Sequence, residues 1–263
     1  MIVGFIGCGN MGGALAKSIS SNLETKVYIC DNNKEKSEKF AQEIGAKCVD
    51  NITAASESDL LFIGVKPHLV ETVARDIKGS ISGDCVIVSM AAGVTTESLT
   101  EYFGKDKKII RIMPNTPVKV GCGMTTYCCS ALVDERDEEI FAEIMKPTGM
   151  LDKLPEGLID AACAVAGCGP AFVYMFIESL ADGAVSCGLP RDKATVYAAE
   201  TLIGAAKMVI ETGEHPEALK DAVCSPGGST IEGVHALEDG AFRSSVLNAI
   251  VAAYNKTKIL GKK

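Results

Sequence analysis

The amino-acid sequence predicts an α/β protein whose N-terminal part is a doubly wound, mostly parallel sheet and whose C-terminal part is all helix. Three observations carry that expectation. Short β-rich apolar runs alternate with helical segments up to about residue 155. A glycine-rich turn joins the first run to the first helix, and beyond Pro155 the strand signals stop and long helical windows take over. Near-continuous apolar strands separated by helices are the pattern of a parallel sheet covered on both faces. With 263 residues, 47% of them hydrophobic, the chain can bury a sizeable core in two domains, expected at 1–155 and 156–263.

The first run, with Val3, Phe5 and Ile6 apolar, meets Gly7-Cys8-Gly9-Asn10-Met11-Gly12, and a helical pattern of Met11, Ala14, Leu15 and Ile19 follows. A G-x-G-x-x-G placed between a strand and a helix is the Rossmann-type dinucleotide signature. Gly7 permits the tight turn, Gly9 lets backbone approach a pyrophosphate, and Gly12 allows close helix-to-strand packing, with the phosphates at the helix N-terminus. Further strands are expected at 27–30, 60–63, 86–89 and 109–112, with helices at 33–44, 67–77 and near 96–103. In the second half Pro170 is placed to begin a helix that Gly188 ends, Pro190 one that Gly213 ends, and Pro216 the next; the last helix is expected at 242–260.

Phe172 to Ile177 are six consecutive apolar residues, and a helix hydrophobic all round must be buried. Few such surfaces can hide in a small helical half, so this half is expected to pack against a second subunit, as a homodimer or a larger homo-oligomer of dimers. The most apolar stretch, 161–177, is short for a membrane span and broken by Gly167, Gly169 and Pro170; it reads as a buried core helix, with no membrane partner. The net charge of −8 argues against nucleic acid. Eleven cysteines without a C-x-x-C pair read as reduced thiols of a cytoplasmic protein, several in the core, with no metal site. Met1 feeds directly into a strand without a basic leader, so no signal peptide is expected. The charged runs 34–36 and 134–139 read as solvated helix faces.

At the end of the second strand stand Asp31, Asn32, Asn33 and Lys34. An acid there favours NAD, while amides and a nearby cation suit a 2′-phosphate; both cues are present, and the residues leave the choice open. Lys66-Pro67, Ala91-Ala92-Gly93 and Pro114-Asn115-Thr116-Pro117 each follow a strand, and turns on one carboxyl edge make a cofactor cleft. In the helical half, Ser225-Pro226-Gly227-Gly228-Ser229-Thr230 precedes a helix expected over 231–237. It reads equally as an anion site fitting a carboxylate or as a plain cap made by Ser229 or Thr230. His68, His215 and His235 share no ligand spacing and read as surface or capping residues, and no Ser-His-Asp group or carboxylate pair emerges.

Taken in order, these segments, with Val65-Lys66-Pro67, Ala91-Ala92-Gly93-Val94, 111–117, Gly169-Pro170-Ala171, 181–183 with 188–190, and 225–230, resemble the pyrroline-5-carboxylate reductase family over essentially the whole chain. The resemblance implies an NADPH-preferring reductase, with NADH possible, that reduces the cyclic imine 1-pyrroline-5-carboxylate to L-proline. It implies Ile6, Gly7, Cys8, Gly9, Asn10 and Met11 as the cofactor loop, Asn32 near the 2′-phosphate, Asn51 near the adenosine, and Val65, Lys66, Pro67, Met90, Ala91 and Ala92 along the cofactor. Ser225, Gly227, Gly228, Ser229 and Thr230 would hold the substrate carboxylate, and the Thr230 hydroxyl would reach the ring nitrogen. Ala166 and Cys168 stand where the family often has serines that make polar contacts near the nicotinamide. Of the rival readings, a 3-hydroxyacid dehydrogenase of the 6-phosphogluconate dehydrogenase-like group needs a catalytic lysine on the helix after the first domain, and residues 154–190 hold no Lys, Arg or His. A non-catalytic NADP-sensing protein would need neither the 225–230 loop nor a substrate domain.

Overall fold

The structure, a computed structural model, describes residues 1–22 and 24–260; residues 261–263, the end of the expected second domain, lie outside them. The chain forms two compact units, one of Met1–Cys168 with the segment from Ala253, the other Gly169–Ala252.

In the first unit eight strands form one sheet: β1 (Ile2–Ile6), β2 (Lys26–Cys30), β3 (Lys47–Cys48), β4 (Leu60–Ile63), β5 (Val86–Ser89), β6 (Lys108–Met113), β7 (Gly123–Cys129) and β8 (Gly149–Lys153). Their order, β3-β2-β1-β4-β5-β6-β7-β8, is the doubly wound one with two strands added, and only the β6–β7 pairing is antiparallel. The order reverses between β1 and β4, which pair in parallel from Val3 opposite Leu60 to Ile6 opposite Ile63. That switch point opens a crevice at the carboxyl edge, where ligands bind in such sheets.

The apolar strands fold this way because both sheet faces are covered. Phe5, Phe62 and Val88 look toward a cluster shared with Leu15 and Ile19 of α1 (Asn10–Ile19), while Leu61, Ile63 and Ile87 join Ala74 and Ile77 of α4 (Val70–Ile77). Phe5 and Phe62 stack with ring centroids 4.6 Å apart, both fully buried. Removing such a ring costs about 3–5 kcal/mol. Helices α2 (Lys34–Ile44), α3 (Asn51–Glu57) and α5 (Thr96–Phe103) begin where Asn33, Asp50 and Thr95 accept a backbone N–H three residues on. The Lys34-Glu35-Lys36 run is exposed on α2 as expected. The 134–139 run is exposed as expected at 134–136 and 139, but not at Asp137. Asp134 and Asp137 form a reciprocal capping box on α6 (Glu135–Met145), and Asp137 turns inward to Lys108 at 2.8 Å, because the Lys108 ammonium near the edge of the sheet needs a counter-charge.

One helix runs from Glu156 to Ser186, 31 residues in all. It consists of α7 (Glu156–Ala162), a π-turn over Cys163–Gly167 in which Cys168 N–H bonds Cys163 O at 3.0 Å, and α8 (Gly169–Ser186). Pro170 is thus the second residue of α8, one place from the expected start, and α7 leads into it through the π-turn. The wider i→i+5 turn just before it accommodates a residue that lacks an N–H and would strain an ordinary α-turn. Length and a mean hydropathy of 1.6 would let this helix cross a membrane, and only 11% of its most apolar window is buried within the chain. The expectation of a helix buried in the chain's own core is thus corrected: among the described residues, little packs over it.

In the second unit α9 (Arg191–Thr212) follows Pro190 and stops at left-handed Gly213, α10 (Pro216–Val223) is capped by the His215 ring accepting the Glu217 N–H, and α11 (Ser229–Asp239) and α12 (Phe242–Leu260) follow. Among its described residues only Ala181, Ala194 and Ala198 are buried, while Tyr174, Met175, Tyr197, Met208, Ile210 and Leu247 are exposed.

Candidate active site

At the crevice, Gly7 takes φ +94° and its N–H bonds Cys30 O on β2 at 2.9 Å. A Cβ on Gly7 would meet Gly64 backbone at 2.8 Å, and one on Gly12 would lie 2.2 Å from Gly7 O. These two glycines let the loop, α1 and the end of β4 close on one another. Gly9 is different: a Cβ there would meet nothing within 4 Å, and the residue is exposed at the start of α1 with no side-chain cap. Its bareness serves something outside the fold, at the positive end of a helix. Cys8 behind it is buried, and burial first, then the neighbouring Asp31 charge, pushes its thiol up to about 12. It stays neutral and adds no negative charge where phosphates would sit.

Asp31, after β2, accepts the Cys8 N–H at Oδ2 (2.8 Å) and the Asn33 N–H at Oδ1 (3.1 Å). The carboxylate is thus turned onto the loop that it braces. Beside it a cleft of about 710 Å³ is lined by Asn32, Lys34 and Asn51 among others, so the structure brings these sequence-predicted residues together. Val65-Lys66-Pro67 follow β4 and Met90-Ala91-Ala92 follow β5, on the same edge of the sheet. The bare loop, the cleft and this row of turns fit a dinucleotide.

Two features escaped sequence reasoning. Arg111 on β6 is buried and pairs with Glu156 and Asp160 of α7, both at 3.1 Å. Glu156 also accepts the Thr96 N–H and hydroxyl at 2.7 and 2.6 Å. Burial alone would raise the Glu156 pKa, but the bonds from Thr96 and Arg111 outweigh it and hold the carboxyl below its ordinary value. The second is Asn115, after β6, whose buried amide donates to Ala166 O and accepts the Met124 N–H, each at 2.9 Å. The sequence shows an Asn between prolines, but not that its side chain reaches 51 residues ahead.

In the second unit Ser225-Pro226-Gly227-Gly228 forms a turn closed by Gly228 N–H to Ser225 O at 3.0 Å, with Gly227 at φ +65°. Pro at the second position and a left-handed Gly at the third are what a type II turn requires. Gly228 is also the N-cap of α11, and no side chain caps it. The reading of Ser229 or Thr230 as plain caps is therefore corrected: they are the first two residues of the helix, exposed, with free first-turn N–H groups.

A doubly wound sheet with a bare glycine loop at its switch point, joined to a helical unit with an uncapped turn, defines a dinucleotide-dependent oxidoreductase. Residues 156–260 match the family model described as pyrroline-5-carboxylate reductase dimerisation, and residues 2–93 that of NADP oxidoreductase coenzyme F420-dependent. The chain is 40% identical to a pyrroline-5-carboxylate reductase of Escherichia coli (strain K12), covering 99% of this chain and 98% of that one. It superposes with a TM-score of 0.87 and 33% identity, over 99% and 98% of the two chains, on the Plasmodium falciparum pyrroline carboxylate reductase with NADP bound. Against the Streptococcus pyogenes 1-pyrroline-5-carboxylate reductase the TM-score is 0.89 at 30% identity, over 98% of each chain. The chain belongs to the pyrroline-5-carboxylate reductase family.

Proposed function

We propose that this chain reduces 1-pyrroline-5-carboxylate to L-proline with NADPH, the final step of proline biosynthesis, and works as a homo-oligomer. The observation that carries the site assignment is the uncapped start of α11, where a tight turn presents two exposed hydroxyls and free N–H groups to a small anion.

A bound nicotinamide would supply a hydride for the imine carbon, and one proton must reach the ring nitrogen. In our reading the N–H groups of Ser229 and Thr230 hold the substrate carboxylate, since a helix start favours negative charge. Thr230 Oγ1 steadies the ring nitrogen, and the proton comes with the imine or from water. Much of the advantage is orientation, which converts an encounter into a positioned reaction. Asn32, Lys34 and Asn51 hold the adenosine end, and Gly9 opens the pyrophosphate cradle.

Self-association is supported by the apolar faces that the second unit leaves uncovered. A reducing cytoplasm suits eleven free thiols, of which Cys8, Cys30 and Cys85 are driven by burial up to about 12. The test is oxidation of NADPH and NADH with 1-pyrroline-5-carboxylate, set beside the reverse assay with 3-hydroxyacids. Turnover of the imine alone is the expected result; turnover of the hydroxyacids alone sinks the reading.

A further inference from the structure

We propose that Asn115 is a positioning residue for this reduction, holding the π-turn Cys163–Gly167 against the sheet edge that takes the nicotinamide half of the cofactor. The inference rests on the reductase reading above. In a doubly wound sheet each half binds one mononucleotide, and the halves meet at the switch point. Asn32, Lys34 and Asn51 stand on the β1–β3 side, so the reacting half falls toward the ends of β4, β5 and β6. Asn115 is the second residue after β6, next to Pro114, at that edge.

Its side chain is 8% exposed and both of its functions are used. Oδ1 accepts from Met124 N–H and Nδ2 donates to Ala166 O, each at 2.9 Å. The first partner can only donate and the second only accept, so the amide has one orientation. The carbonyl it finds is an orphan by sequence: in a helix Ala166 O would take the N–H four residues on, and that residue is Pro170. A part-buried carbonyl left without a donor is destabilising, and Asn115 supplies the missing donor. The turn so held is tight, since a Cβ on Gly167 would come within 3.0 Å of Cys163 Sγ. It is also linked to the 90–92 segment, because Cys163 and Ala92 pack on the same small cluster of Met113, Cys128 and Ile159. A π-turn released at Ala166 would therefore shift the ground under both segments that face the reacting ring.

The test uses Asn115→Ala, which removes both bonds, and Asn115→Asp, which keeps the acceptor for Met124 but opposes a carboxylate to the Ala166 carbonyl. In the cofactor-free protein, amide exchange at residues 163–168 should quicken in both variants while the rest of the sheet keeps its wild-type protection. NADPH affinity should stay within about twofold, and kcat should fall roughly ten- to hundredfold, the scale of a misplaced reaction geometry. The kcat of Asn115→Asp relative to wild type should rise as pH falls, because the protonated acid regains a donor. Wild-type kcat in Asn115→Ala, unchanged exchange at 163–168, or loss of NADPH binding in both variants overturns the proposal. In the last case the amide serves the fold and not the turn. If the wild-type protein turns over no imine, the function reading fails by itself, while the exchange result still decides whether Asn115 holds the turn.

Discussion

Lys34 lines the cleft beside Asp31 with its side chain 84% exposed and, among the described residues, a loose 3.8 Å partner in Glu38. Asp31, the residue that would repel a 2′-phosphate, has both oxygens bonded to backbone N–H groups. NADPH is therefore expected to give the higher kcat/KM. An exposed ion pair contributes about 0.2–1 kcal/mol, so Lys34→Ala should weaken NADPH by up to about fivefold and leave NADH unchanged. Steady-state kinetics with both cofactors decides this, and a preference for NADH would show that the Asp31 charge governs. Thr230 carries the second expectation at this scale. A hydrogen bond to a charged group is worth roughly 1.5–3 kcal/mol, so Thr230→Ala should lower kcat/KM for the imine roughly ten- to hundredfold with NADPH binding intact. Near-normal turnover would reduce Thr230 to part of the helix start. Single residues such as these were legible in the sequence because turn chemistry and family motifs mark them. Arg111 and Asn115 stood in the same motif, yet their roles depend on Glu156 and Ala166, partners that no local pattern announces.

The strand-to-helix turn after β1 separates two kinds of glycine. Gly12→Ala would drive a methyl to 2.2 Å from Gly7 O, and such overpacking costs about 1–3 kcal/mol, so both melting temperature and NADPH affinity should drop. Gly9→Ala meets no protein atom. Its stability should stay within about 0.5 kcal/mol of wild type while cofactor affinity falls. Calorimetric titration of the two variants separates the effects, and a Gly9→Ala protein that binds NADPH normally would refute the cradle. The tie between α7 and β6 carries a pH signature. The Glu156 carboxyl is held below its ordinary value near 4.5, so its contribution is present above that pH and is lost as pH falls through the folded-state value. Glu156→Gln should thus cost about 1–3 kcal/mol at neutral pH, a range kept low because the side chain is partly solvent-screened, and the gap should close under acid. Urea melts of both proteins from pH 7 to 3 check the sign. At this scale the apolar strands and Gly/Pro punctuation foretold most elements. The exceptions were β3, β7, β8 and α3, which no expected run marked, and α7, which continues through the π-turn into α8.

Across the molecule, apolar burial is unevenly shared. The sheet unit has two large buried clusters, whereas the described residues of the second unit bury three alanines. Sedimentation should accordingly find a dimer or a larger assembly joined through residues beyond about Pro155, and an active monomer at low concentration would contradict it. The fold class and the uncovered helix faces could be read from periodicity; the imbalance between the halves could not, because it depends on what packs against what. It bears on how the protein is made. The sheet half can close around its own side chains as it leaves the ribosome. The helical half has too little of its own to close around, so for it folding and encounter with a second chain are one event. Its maturation should follow second-order kinetics, slow when the chain is scarce and open to chaperones in the interval.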